Sequence, residues 1–336
     1  MPVNADKPQV WKADVAQSAG GYDDWYLRHA PQAYRDARNE AADRVEEILR
    51  TTGNLTAVTP EALRRDPPML ATLRMMTDPP IARDTLIGVT HASVALVTAM
   101  ERDGHIPPQL FDNVVDDDLK RIGDAIMRLA DRDIFSWLDG AYPLTGVQLR
   151  RAATIVADRL CLASADTIIR DAQKRRQLAA IKVWLIGRGY SYVEPGRRLG
   201  FDRMVPGTFT FELNVPVIRP GKAALNALPI DIAVMPHQSS AGDVPLLIDT
   251  RSSGDYARSN RRRVEDAAKL AGLRGAYGSN VRFVLFLSGY FDGGYLGYVA
   301  AEGIDWVWEH RVDDMAHLDL AKLTLLDRQQ VAVAAH

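Results

Sequence analysis

Two short runs, Asp231-Ile-Ala-Val-Met235 and Leu246-Leu-Ile-Asp-Thr-Arg251, decide how the rest of this chain is read. Both have the apolar, β-branched composition of buried strands. The segment between them, Pro236-His-Gln-Ser-Ser-Ala-Gly-Asp-Val-Pro245, is rich in turn formers. Folded back near Ser240, the chain sets position 231 opposite position 249. Directly opposed residues of an antiparallel pair share a face, with Cβ atoms about 5 Å apart. Two carboxylates held that close repel unless a cation sits between them. Arg251 lies two residues beyond Asp249 and points to the same side. An acid, then acid-x-base on the next strand, is the layout of a metal-dependent phosphodiesterase centre.

Outward from this hairpin the pattern continues as α/β. Thr208-Phe-Thr-Phe-Glu-Leu-Asn-Val-Pro216 reads as the preceding strand and carries Glu212, a candidate auxiliary acid. Residues 259–275 read as a helix with Ser259 or Asn260 as N-cap. Val281 to Leu287 is mostly apolar, as expected of a central strand, and Gly303 to His310 adds another. Gly289 to Gly297 reads as a tight turn with packed aromatics, and Trp306 and Trp308 as core. Upstream, Ile168, Ala172, Ala179, Val183 and Ile186 stripe one long helix that ends at Gly187-Arg-Gly189. Residues 1–160 read as helical. Tyr34 to Leu49 is rich in Ala, Glu and Arg, and Leu119, Ile122, Ile126 and Leu129 form a three-four stripe. Asp116 to Asp118 sits where acids favour a helix N-terminus. The expected organisation is a helical region over 1–160 and an α/β core over 161–336.

Composition bounds the setting. The 336 residues are 47% apolar and 25% charged, ordinary for a globular protein with a sizeable core. No run approaches a membrane span, and the first residues have no apolar signal core. The single cysteine, Cys161, excludes an internal disulfide framework and fits a reducing cytoplasm. Net charge is −2, so global charge does not announce a nucleic-acid partner. Local charge does. Residues 165–200 hold eight Lys or Arg, among them Lys174, Arg197 and Arg198, against three acids; residues 251–274 hold seven against three. Basic zones flanking an acidic pair suit an enzyme acting on DNA. There is no Walker loop, no Gly-x-Gly-x-x-Gly and no Gly-x-Ser-x-Gly, and the seven histidines show no zinc spacing. His237, in the hairpin loop, is expected to be exposed.

Hydrolysing a phosphodiester requires neutralising the phosphate and making hydroxide from water, and a divalent metal does both. Mg2+ takes one or two carboxylates plus waters and substrate oxygens. Asp231 and Asp249 are the candidate ligands, with the Thr250 carbonyl beside them. Arg251 is placed to stabilise charge on the phosphate, but guanidinium is no general base. The segment after Asp249 is the candidate DNA contact: Ser252, Ser253, Arg258, Asn260, Arg261, Arg262 and Arg263. Arg pairs bidentately with guanine and Asn with adenine, while Ser takes phosphate.

These residues resemble the XamI-type restriction endonucleases, a branch of the PD-(D/E)xK nucleases. The resemblance is carried by Leu228-Pro-Ile-Asp-Ile232, Pro245-Leu-Leu-Ile-Asp-Thr-Arg-Ser-Ser-Gly-Asp255 and Asn260-Arg-Arg-Arg263. Leu285-Phe-Leu-Ser-Gly-Tyr-Phe-Asp-Gly-Gly-Tyr-Leu-Gly-Tyr298, Ala301-Glu-Gly-Ile-Asp-Trp-Val-Trp-Glu-His-Arg311 and Leu73-Arg-Met-Met-Thr-Asp-Pro-Pro-Ile-Ala-Arg83 extend it over most of the chain. It implies a mixed sheet flanked by helices and a type II enzyme cutting double-stranded DNA at GTCGAC with Mg2+. It also implies a homodimer on a twofold site and a cognate methyltransferase that protects host DNA. Asp231 matches the first motif acid and Asp249 the second. Arg251 stands where the family pattern has lysine, and Lys269, one helix later, is a candidate substitute ammonium. That departure leaves open a cleavage-impaired protein that binds its site. A phosphohydrolase of small nucleotides is a second rival, which would need no basic helix.

Overall fold

The computed structural model describes residues 2–140, 144–195, 204–218, 225–240 and 242–320. The chain runs α1 (Pro8–Thr51), α2 (Pro60–Arg65), α3 (Met69–Arg74), α4 (Arg83–Thr90), α5 (Val94–Arg102), α6 (Asp112–Leu129) and α7 (Gly146–Ile186). Then follow β1 (Ser191–Tyr192), β2 (Thr208–Ile218), β3 (Leu225–Met235), β4 (Leu246–Ser253), α8 (Tyr256–Tyr277), β5 (Phe283–Gly289), α9 (Gly293–Ala301) and β6 (Asp305–Trp308). Two compact units result. One comprises Pro31–Ile169; the other combines Met1–Ala30 with Arg170–His336. The division falls inside α1 and α7, whereas composition alone drew one boundary at 160.

The Pro31–Ile169 unit is a helical assembly around a core that includes Leu49, Leu63, Leu73, Met100, Leu119 and Phe135. The α6 backbone comes so near the preceding loop that a Cβ on Gly123 would sit 2.1 Å from the Val58 carbonyl oxygen. The acids Asp116–Asp118 do not precede α6, which already begins at Asp112. Asp116 instead binds Arg64 at 2.8 Å. Buried Asp118 accepts the Ser93 N–H at 2.8 Å and pairs with Arg121. Asp116 and Asp118 thus tie neighbouring elements together rather than answer a helix dipole.

The other unit is built on one six-stranded mixed sheet in the order β1-β2-β3-β4-β5-β6. The pairs β2/β3 and β3/β4 are antiparallel; β1/β2, β4/β5 and β5/β6 are parallel. Along β4 the side chains alternate between two cores, as a pleated strand requires. Leu246 and Ile248 pack with Ile181, Trp184 and Leu185 of α7 on one face. Leu247 packs with Leu270 and Leu273 of α8 on the other. Trp306 and Trp308 are fully buried in that second core.

The first residues belong to this sheet. The Asp305 carboxylate accepts the backbone N–H groups of Asn4 and Ala5, each at 3.0 Å, and also that of Val3. Trp11 packs edge-on against Trp306, with ring centroids 5.4 Å apart. Two other local expectations shift. Helix α8 starts earlier than expected, because the Asp255 side chain caps it by accepting the Arg258 N–H. The glycine-rich segment is a turn followed by α9, capped by Asp292. At the turn, Gly289 has φ +100°, and a Cβ there would meet the Ser253 carbonyl oxygen at 2.1 Å. Among the described residues, no helix is long and apolar enough to cross a membrane.

Candidate active site

The register that seats the site runs Ile232↔Ile248, Ala233↔Leu247 and Val234↔Leu246. One more step sets Asp231 across from Asp249, where side chains take over the bonding between the strands. The Asp231 backbone N–H donates to Asp249 Oδ1 at 3.2 Å. Asp231 Oδ2 accepts the Thr250 N–H at 2.8 Å and the Thr250 hydroxyl at 2.7 Å. Each carboxylate thus grips the backbone or side chain beside the other acid, and the two fix a fork at the end of β3 and β4.

They do not share one cation. Lys174, on α7, places Nζ 2.8 Å from Asp231 Oδ1 and 3.3 Å from Glu212 Oε1. Burial pushes the Asp231 carboxyl up, but Lys174 and the two Thr250 donors outweigh it and hold the group below the usual range. Lys174 is likewise raised, burial being overcome by Asp231 and Glu212. One turn along α7, Gln177 donates to the carbonyls of Phe286 (3.2 Å) and Arg251 (3.4 Å), which anchors that face of the helix on the sheet. Glu212 lies opposite Asp231, between the paired positions Phe211↔Ile232 and Leu213↔Ile230, and its φ is +54°.

Asp249 is served from the opposite face. It is buried, and its Oδ2 accepts Arg251 Nη2 at 2.9 Å and also Lys269 Nζ. Arg251 continues to fully buried Asp266 on α8, with Nε and Nη2 at 2.8 and 2.7 Å from Oδ1. Tyr295 of α9 donates its hydroxyl to Asp266 Oδ2 at 2.9 Å. Burial would lower the Arg251 guanidinium, but Asp249 and Asp266 hold it above its ordinary value. The chain Lys269–Asp249–Arg251–Asp266–Tyr295 is therefore a satisfied buried network, the condition under which such charges are tolerated. Lys174, Asp266 and Tyr295 escaped sequence reading. The only signal for Lys174 was its place in a basic run, and none marked Asp266 or Tyr295.

A pocket of about 380 Å³ opens beside Asp231 and Thr250, with Arg170, Lys174, Arg251 and Arg262 on its walls. Asp171 and Glu265 also line it. Arg262 is lowered by burial and by the neighbouring charges of Arg251 and Arg170. Guanidinium groups gathered in this way favour an anion between them. The candidate DNA residues divide by position. Arg262 faces the pocket and donates to the Ser252 carbonyl at 3.1 Å. Arg258 and Arg261 are exposed. Arg263 lies 5.0 Å over the Tyr298 ring. Ser253 is buried and donates to the Asp255 carbonyl, and Asn260 is bound to Asp292, so both support the α8 and α9 starts. His237 is half-buried and lies tilted against Tyr190, with ring centroids 4.0 Å apart, rather than standing exposed. Arg197 and Arg198 lie outside the described residues.

The donor set suits a hard divalent ion. Among the described residues no three acids, histidines or cysteines converge. Yet Asp231 and Glu212 already flank one positive charge, the Lys174 ammonium, and Asp231 also lines the pocket. Two carboxylates, waters and a substrate oxygen meet the needs of Mg2+. Asp249 Oδ1 accepts the Asp231 N–H at 3.2 Å, and its Oδ2 is taken by Arg251 and Lys269.

Comparison with known proteins identifies the family. Residues 53–308 match the model of the XamI restriction endonuclease family. The chain is 46% identical over 313 residues to the type II restriction enzyme SalI of Streptomyces albus G, covering 93% of this chain and 98% of that protein. No solved structure matches. The two matches span the helical unit as well as the sheet, and the protein is a restriction endonuclease of the XamI family.

Proposed function

We propose that this protein hydrolyses both strands of duplex DNA at GTCGAC with Mg2+, on a PD-(D/E)xK-type core. Type II restriction enzymes generally use a divalent metal. The observation that carries the reading is the fork at Asp231 and Asp249. Two acids on adjacent strands are locked together through the Asp231 and Thr250 backbone N–H groups, and Asp231 faces a pocket walled by Arg170, Lys174, Arg251 and Arg262.

Asp231 would hold the ion with Glu212 beside it, while Asp249, bonded through Oδ1 to the Asp231 N–H and through Oδ2 to Arg251 and Lys269, would brace that ligand from the other face. When bound, the ion supplies a water acidic enough to attack at neutral pH and neutralises charge on the phosphate. The chain's own groups do the rest. Arg170 and Arg262 receive the phosphate in the pocket, while Thr250 fixes the Asp231 carboxylate in one orientation. Arg251 neutralises Asp249 and Asp266 and does not move a proton. Lys269, already on Asp249, supplies the ammonium that the motif position lacks. Exposed Arg258 and Arg261 approach the duplex. A palindromic target calls for a twofold dimer in which each protomer cuts one strand. A cognate methyltransferase protects host DNA, and the enzyme acts in the cytoplasm.

Digestion of plasmid carrying GTCGAC with Mg2+ tests the reading. Discrete fragments are expected from the native protein. Asp231→Asn should lose more than about 100-fold in cleavage, and Asp249→Asn, which removes a group that supports that ligand, about 10–100-fold, while gel-shift binding in Ca2+ persists. Cleavage near the native rate in either variant would remove that acid from the mechanism. A gel shift without fragments from the native protein would favour the second reading, a slowed enzyme in which Arg251 replaces the motif lysine.

A further inference from the structure

We propose that the Lys174 ammonium is an internal stand-in for the divalent ion, and that it must leave Asp231 and Glu212 before an ion can enter. The inference rests on the metal centre proposed above.

Glu212 and Asp231 occupy facing positions of β2 and β3. Like charges directly opposed on a sheet destabilise it. Glu212 moreover holds φ +54°, a left-handed conformation that a non-glycine residue adopts at a cost. A strained acid set against a second acid is a poor way to build a strand, and such strain gathers at functional positions. Lys174 resolves the repulsion, with Nζ within 2.8 and 3.3 Å of the two carboxylates. It reaches them from another element, on a stem about one-third exposed. Arg251 and Lys269 are committed to the opposite face, at Asp249. Lys174 is therefore the cation that meets an incoming ion at Asp231.

A divalent ion and an ammonium cannot both occupy the space between two carboxylates. Binding an ion to the free protein thus includes the work of detaching Lys174. The released ammonium enters a pocket that already holds Arg170 and Arg262. Its positive charge finds a partner there when a DNA phosphate arrives. Lys174 is thereby a positioning residue that ties ion loading to the presence of substrate.

Mn2+ titrated calorimetrically into the full DNA-free chain provides the test. Lys174→Met should bind Mn2+ at least about tenfold more tightly than the native protein, a modest demand for removing a charge-assisted competitor. Lys174→Arg, which keeps the charge, should stay within about threefold of native. Unchanged or weaker Mn2+ binding in Lys174→Met would overturn the inference, as would equal tightening in Lys174→Arg. The double variant Lys174→Met/Asp231→Asn separates the underlying reading. If it binds Mn2+ as tightly as Lys174→Met alone, the ion does not sit at Asp231 and the metal centre itself is misplaced. If it loses binding while Lys174→Met fails to tighten it, only the Lys174 inference falls.

Discussion

Replacing Arg251 by lysine would supply the residue that the PD-(D/E)xK resemblance implies at this position, and the packing around Arg251 predicts damage rather than repair. Arg251 makes four hydrogen bonds from a largely buried position: two to Asp266 Oδ1, one to Asp249 Oδ2 and one to the Thr250 carbonyl. A lysine is a point charge on a flexible stem and cannot span both acids as the planar fork does. It would keep the net charge but lose at least one charge-assisted bond to a carboxylate with no exposed surface. Such a bond contributes about 1.5–3 kcal/mol, so Arg251→Lys should cost roughly 2–3 kcal/mol. Arg251→Met leaves Asp249 and Asp266 without that cation and should cost more, about 3–5 kcal/mol. Urea unfolding followed by tryptophan fluorescence measures both, because all tryptophans but Trp137 lie in the sheet unit. Cleavage of GTCGAC should not rise in Arg251→Lys. A lysine variant with native stability and faster cleavage would refute the reasoning, since Arg251 would then be a displaced catalytic group and not a structural brace.

Two further outcomes follow from the same packing. Tyr295→Phe removes the donor to Asp266 Oδ2 and should lower stability by about 1.5–3 kcal/mol with little effect on DNA binding in a gel shift; an unchanged urea midpoint would show that Asp266 finds another partner. His310 is lowered by burial first and by Arg311 second, against the opposing pull of Asp14, 3.9 Å away, and of Asp314. The unfolded chain therefore takes up its proton first as pH falls below about 6.5. The stability this group contributes is complete above that value and is lost as pH drops through the window beneath it. His310→Gln should flatten the urea midpoint between neutral and mildly acidic pH, and a profile as steep as native would sink the assignment.

Legibility in the sequence followed chain distance. The hairpin is readable because both acids and the turn between them lie within nineteen residues, and strand alternation fixes which positions stand opposite each other. Helix α7 ends at Ile186, directly before the Gly187-Arg-Gly189 stop that composition suggested. Arg251 and Asp249 point the same way for the same local reason. Lys174 was hidden because a basic residue on a long helix usually faces water, and only packing turns this one onto Asp231. Glu212 is legible as an acid, but its left-handed backbone has no local signature such as a glycine or asparagine. Asp255 outcompeted Ser259 and Asn260 as the cap of α8 because α8 begins immediately after β4. The attachment of residues 3–5 to Asp305 joins positions about three hundred apart, which no periodicity reports.

That attachment has a consequence for how the molecule comes into being. In order of synthesis, residues 3–5 precede the whole Pro31–Ile169 unit, and the strand that carries Asp305 comes much later. Until β6 emerges, Val3, Asn4 and Ala5 lack their acceptor, and Trp306 is not yet there to receive Trp11. A half-made polypeptide can thus contain both Asp231 and Asp249 while its sheet still wants its outermost strand. Asp231 and Asp249 therefore precede, in order of synthesis, the strand that completes their sheet.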